Sequence, residues 1–153
     1  MYSATVGLVK ATWHAEAVDA FAISCSSELK SKDKQIKVNT YSVPGVVEIP
    51  LFTQKLIQSQ TVDIVVVVGL IADHGVYRHD FVASTVMDAT MKVQMETGVP
   101  IIYGILTPQE FISEGREEFF KEHFIKKGLE AATSVLATLE NERLLAGLIE
   151  KPG

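Results

Sequence analysis

The nine-residue stretch Ile64 to Ala72, inside "VDIVVVVGLIADH", constrains the fold more than any other part of the chain. It is about half the length of the roughly 20 residues that a membrane-spanning helix needs. β-Branched side chains are stiff and pack well on a pleated surface, so the run over 63–71 predicts a strand. A strand apolar at every position has no face to offer water. It belongs in the centre of a parallel sheet covered on both sides.

The flanking sequence supplies the cover. "ATVGLVKA" (4–11) reads as a buried strand, and "AEAVDAFAISCSSELKSK" (15–32) places Ala15, Val18, Ala22, Cys25 and Leu29 at helical spacing. "QIKVNTYSV" (35–43) alternates Ile36, Val38 and Thr40 with polar neighbours, as a half-buried strand does. Pro44 and Gly45 break the chain, and a helix over about Glu48–Gln60 tolerates Pro50 only in its first turn. A long helix over 79–98 carries one apolar stripe of Val82, Val86, Ala89 and Val93 and a second of Ala83, Met87 and Met91, with Gly98 as its C-cap candidate. So wide an apolar arc meets both its own sheet and another surface. "VPIIYGIL" (99–106) is the fourth strand. A polar stretch with short helical turns (108–125) leads to a last helix from 127 to about 147, with Leu129, Ala132, Leu136 and Leu139 on its stripe. Strands alternating with helices of this length predict one α/β domain over residues 1–153, a parallel sheet with helices on both faces.

The remaining bulk properties narrow the function classes. Net charge is −5 with no basic block, which argues against nucleic acid and anionic membrane as partners. A mean hydropathy of +0.20 is high for a monomer of this size and points to apolar surface buried in a homo-oligomer. Cys25 is alone, so no intrachain disulfide can form. The first ten residues lack the build of a signal peptide, and the expected location is cytoplasmic. No GxGxxG, Walker A or GxSxG motif occurs, and the spacing of His74 and His79 with Asp73 and Asp80 matches no strong zinc pattern, so neither metal nor cofactor is expected.

In parallel sheets of this kind ligands sit outside the carboxyl ends of the strands, which nominates 11–15, 43–48, 70–80 and 103–108. Trp13 and His14 follow the first strand directly. The indole either stacks on a flat heterocycle or packs the edge of the core. After the second strand, Gly45, Val46 and Val47 offer backbone groups to a ligand. Glu48 either caps a helix or accepts hydrogen bonds from hydroxyls or an amine. After the third, Leu70, Ile71 and Ala72 run into "DHGVYRHD". There Gly75 and Val76 precede a helix start, Arg78 suits a phosphate, and His74 and His79 are candidates for proton transfer. The bland alternative is a solvated polar loop.

"VPGVVEIP" (43–50), "HDFVA" (79–83), "ETGVPIIYGILT" (96–107) and "KKGLEAA" (126–132) together resemble the lumazine synthase family of riboflavin biosynthesis, in order and over nearly the whole chain. The resemblance implies a three-layer α/β/α sandwich, flavodoxin-like with a four-stranded parallel sheet, assembled into pentamers with active sites between subunits. The implied enzyme is a transferase. It condenses 5-amino-6-ribitylaminouracil with 3,4-dihydroxy-2-butanone 4-phosphate to 6,7-dimethyl-8-ribityllumazine, phosphate and water. By matching position, Trp13 stacks on the pyrimidine, and Val46, Val47 and Glu48 hold the ribityl chain. The backbone at Ile71 and Ala72 reads the pyrimidine edge, and Tyr103 closes the pocket from the adjacent subunit.

Two departures from the family pattern bear on mechanism. Arg78 stands where the family has its catalytic histidine, with His79 one residue later. Arginine keeps its proton at physiological pH, so it binds phosphate or stabilises charge, and proton transfer passes to His79 or His74. The family's phosphate-binding arginine is also missing from "REEFFKEHFIKKG" (116–128), where Phe119 is nearest its position. His123 and Lys127 match the segment's two lysines, and Arg116, Lys121 and His123 are the cationic substitutes. The "GVYRHDFVA" form resembles a second branch of the family that forms decamers of two pentamers. Loss of both groups keeps open a weakly or non-catalytic relative that binds flavin or lumazine. A riboflavin synthase of the archaeal type is less compatible with the "EIP" and "HDFVA" motifs.

Overall fold

A computed structural model describes residues 3–72, 79–108 and 116–150. The elements are β1 (Ala4–Ala11), α1 (Ala15–Lys32), β2 (Ile36–Val43), a 3₁₀ turn (Val46–Glu48), α2 (Ile49–Gln58), β3 (Ile64–Leu70), α3 (His79–Thr97), β4 (Ile101–Leu106) and α4 (Arg116–Glu150). The four strands pair in parallel in the order β2-β1-β3-β4, giving a three-layer α/β/α sandwich of flavodoxin-like type.

β3 is central, and all seven of its residues are buried. Its period of two sorts them between two cores. Ile64, Val66, Val68 and Leu70 join Val6, Leu8, Phe21 and Leu29 under α1 and α4. Val65 and Val67 join Val9, Ile49, Val86 and Val93 under α2 and α3. Val86 and Val93 are thus the buried line of α3, while Met87 and Met91 face outward. Gly98, at φ +73°, ends α3 in the left-handed conformation that favours glycine, and its N–H bonds the Gln94 carbonyl at 2.9 Å.

The last helix departs from expectation. Residues 116–125, expected within a polar stretch with short helical turns, form the first turns of α4. The cause is a line of buried residues four apart: Phe120, Phe124, Gly128, Ala132. This line sets the rotation of the helix, so Val135 and Leu139 are also buried while Leu129, expected on the stripe, is exposed. Gly128 lies against α1 so closely that a β-carbon there would collide with Ser24 Oγ and the Phe21 carbonyl oxygen. Ser24 seals the crossing, donating its hydroxyl to the Ile125 carbonyl at 2.9 Å. Since the Phe21 carbonyl is backbone, it cannot swing aside. Gly128→Ala is expected to lower unfolding free energy by about 1–3 kcal/mol, read by urea denaturation.

Cys25 is buried in α1 as expected, and burial pushes its thiol up from 9.0 to about 12, so it is protonated at neutral pH. No described helix is long and apolar enough to cross a membrane.

Candidate active site

The strand order changes direction between β1 and β3, and the chain beyond their carboxyl ends is where such a fold receives ligands. Gly69, the penultimate residue of β3, lets the next layer descend there. A β-carbon on it would come within 2.5 Å of Val46 Cγ1, so the missing side chain is the space that the 3₁₀ turn fills. Val46 and Ile49 are buried in consequence, whereas Val47 and Glu48 face outward.

Thr12 ties this turn to β1. Its N–H donates to the Val43 carbonyl at 2.9 Å and the Pro44 carbonyl at 3.2 Å, and its hydroxyl donates to the Pro44 carbonyl at 3.1 Å. Nothing in the sequence pattern marked this threonine. The next residue, Trp13, lays its ring over Gly45: a β-carbon on Gly45 would stand 2.8 Å from Cζ3. Trp13 as a whole is nevertheless 63% exposed. His14 is half-buried and takes a left-handed conformation (φ 59°) at the start of α1, uncommon for a residue other than glycine.

Glu48 does act as a cap, of the turn rather than of α2: its Oε2 accepts the Gly45 N–H at 3.1 Å at the start of the 3₁₀ turn, and the residue is exposed at the rim. Ile71 and Ala72 leave β3 as buried chain, and the Ile71 N–H is committed to the Leu106 carbonyl at 2.9 Å. A ligand at this segment therefore meets the Ile71 carbonyl and the Ala72 backbone rather than the Ile71 N–H.

Other expected site residues sit on α3, β4 and α4. Tyr103 sits mid-strand in β4 opposite Val67, roughly 10 Å short of the strand end, half-buried on the α2/α3 side, where burial raises its hydroxyl pKa. His123 is on α4, its ring parallel to that of Phe119 with centroids 6.4 Å apart. Lys127 pairs with Glu130 at 3.0 Å. Lys121 pairs with Glu16 at 3.1 Å, and that carboxylate raises the pKa of its ammonium. This last pair brings the start of α4 alongside the start of α1, the rim that carries Trp13. His79 opens α3, half-buried. His74, Gly75, Val76 and Arg78 lie outside the described residues, as does the side chain of Arg116.

Sequence reasoning also did not single out a groove between α2 and α3. It encloses about 400 Å³ and is lined by Val47, Leu51, Phe81, Val82 and their neighbours. Phe81 and Val82 lie within "HDFVA", and their exposure is the signal that marks the groove. Among the described residues no group of three or more His, Cys, Asp or Glu side chains could hold a metal ion.

An aromatic ring over a glycine turn, an exposed carboxylate and a strand end thus meet at one rim. Known proteins resemble the chain as a whole. The family model for 6,7-dimethyl-8-ribityllumazine synthase matches residues 3–143. The chain is 37% identical over 145 residues to the 6,7-dimethyl-8-ribityllumazine synthase of Rhodococcus erythropolis, covering 92% of each chain. It is 39% identical over 145 residues to 6,7-dimethyl-8-ribityllumazine synthase 2 of Bradyrhizobium diazoefficiens, covering 94% of this chain and 87% of that one. A synthase 2 of Pseudomonas syringae pv. tomato is 37% identical over 94% of this chain and 85% of its own. A match over nearly the whole chain and these identities show that the chain belongs to the 6,7-dimethyl-8-ribityllumazine synthase family.

Proposed function

We propose that the protein is a 6,7-dimethyl-8-ribityllumazine synthase of riboflavin biosynthesis. It joins 5-amino-6-ribitylaminouracil to 3,4-dihydroxy-2-butanone 4-phosphate. The amine condenses with the ketone, phosphate leaves, and the ring closes with loss of water. The observation that carries the reading is the exposed Trp13 indole beside Glu48 at the ligand rim of a chain from this family. The indole stacks on the pyrimidine. Glu48 and the backbone of Gly45, Val46 and Val47 hold the ribityl hydroxyls, and the Ile71 carbonyl and Ala72 meet the pyrimidine edge. His14 and Leu70 frame the pocket floor.

The chemistry asks mainly for orientation. Holding two reactants in register supplies on the order of 7–11 kcal/mol in favourable intramolecular cases. Arg78, with Gly75 and Val76 beside it in sequence, binds the phosphate together with His123 and Lys127. His79 and His74 carry the proton.

Substrates are small molecules, and the working unit is a homo-oligomer, a pentamer or a decamer of two pentamers, in the cytoplasm. The exposed Met87 and Met91 and the groove beside Phe81 are apolar surface suited to a neighbouring subunit, and Tyr103 serves the neighbour's pocket.

The test mixes the purified protein with both substrates and follows lumazine absorbance against the uncatalysed reaction. A rate well above background is expected. A background rate from folded, oligomeric protein would instead favour a binding protein for flavin or lumazine. Arg78→Ala is expected to raise KM for the butanone phosphate by about tenfold or more, the worth of a charge-assisted hydrogen bond. An unchanged KM would remove Arg78 from the phosphate site.

A further inference from the structure

We propose that Thr12 and Gly45 are positioning residues that hold the Trp13 indole in one pose before substrate arrives. The inference rests on the reading of Trp13 as the stacking surface, and it assigns a role to two residues that touch the ring or its support. A ring 63% exposed has few side-chain neighbours to orient it, yet a stacking surface contributes most when its orientation is already set.

The orientation comes from backbone. The indole lies on the Cα of Gly45, close enough that a β-carbon would stand 2.8, 3.0 and 3.1 Å from three of its ring carbons. Gly45 is itself held from both sides. Thr12 bonds the Pro44 carbonyl through its N–H at 3.2 Å and its hydroxyl at 3.1 Å, and Glu48 Oε2 accepts the Gly45 N–H at 3.1 Å. Thr12 is also the covalent neighbour of Trp13. One residue thus fixes the ring's root and the surface under the ring.

Gly45 is not needed for backbone freedom. Its φ of −137° and ψ of 179° are extended values that alanine adopts without strain, so the indole is what a methyl group there would meet. Any cost of Gly45→Ala should therefore vanish once the ring is gone. That makes a double-mutant cycle decisive.

The experiment uses the full-length protein. Trp13 is the one tryptophan, so its emission reports the ring without interference. Thr12→Val and Gly45→Ala are expected to shorten the nanosecond anisotropy decay of the ligand-free protein. KM for 5-amino-6-ribitylaminouracil should rise about threefold to tenfold, the range of one hydrogen bond. In Thr12→Val, kcat and the KM for the butanone phosphate should hold. Thr12→Ser should restore the parent values. In a Trp13→Ala background, Gly45→Ala should leave the pyrimidine KM where Trp13→Ala alone put it. An unchanged anisotropy decay in both variants would overturn the seat. Equal effects of Gly45→Ala with and without the indole would overturn its action through Trp13. If Trp13→Ala alone left the pyrimidine KM unchanged, the stacking reading would fall, and the substrate role of the seat with it.

Discussion

Replacing Trp13 by alanine is expected to raise KM for 5-amino-6-ribitylaminouracil by about tenfold to a hundredfold. Stacking between an aromatic side chain and a base is worth roughly 1–3 kcal/mol, and each 1.4 kcal/mol is a factor of ten. The ring rests on the Gly45 turn and takes no place in either core, and the residue is 63% exposed. Urea midpoints of the parent and Trp13→Ala should therefore agree closely while the pyrimidine KM separates them. Trp13→Phe, which keeps a flat face, should recover most of the loss. A Trp13→Ala enzyme with the parent KM would remove this residue from the site.

Phe124→Ala has the opposite signature. Phe124 is 0% exposed and joins Phe21, Leu8 and Val66 in the core beneath α1 and α4. Removing a buried phenyl ring loses its transfer free energy and leaves a cavity that a close-packed interior closes only in part. The expected cost is about 3–5 kcal/mol of unfolding free energy, a large share of a typical domain's 5–15. The pyrimidine KM of the folded fraction should change little, because the Phe124 ring lies in the α1/α4 core rather than at the Trp13 rim. A loss under 1 kcal/mol would mean that this turn does not pack as described.

The two residues differ in how openly the sequence showed their roles. The central strand was legible because β3 is apolar at every position, and only a doubly covered parallel strand tolerates that. Trp13, Gly45 and Glu48 were nominated by place, in the segments that follow the ends of β1 and β2. Phe124 was not. In "REEFFKEHFIKKG" charged residues outnumber the three phenylalanines, and the buried line is completed by Gly128, which carries no apolar signal. Its contribution is the absence of a side chain at a helix crossing, and periodicity cannot register an absence. Thr12 was hidden for a related reason: its bonds run to carbonyls at 43 and 44, about 30 residues away, and a lone threonine at a strand end has no pattern. Glu48 was posed as cap or ligand contact, although a carboxylate has two oxygens and can serve both.

α4 runs from a buried first half to a stretch, Arg143 to Ile149, in which every residue is exposed. A single helix therefore spans the whole range of local opening free energies. Amides near Val135 share the protection of the core and exchange with solvent only when the domain unfolds, whereas those past Arg143 exchange by fraying alone. A protease would meet the same gradient, trimming the exposed turns and stopping where Leu139 enters the core.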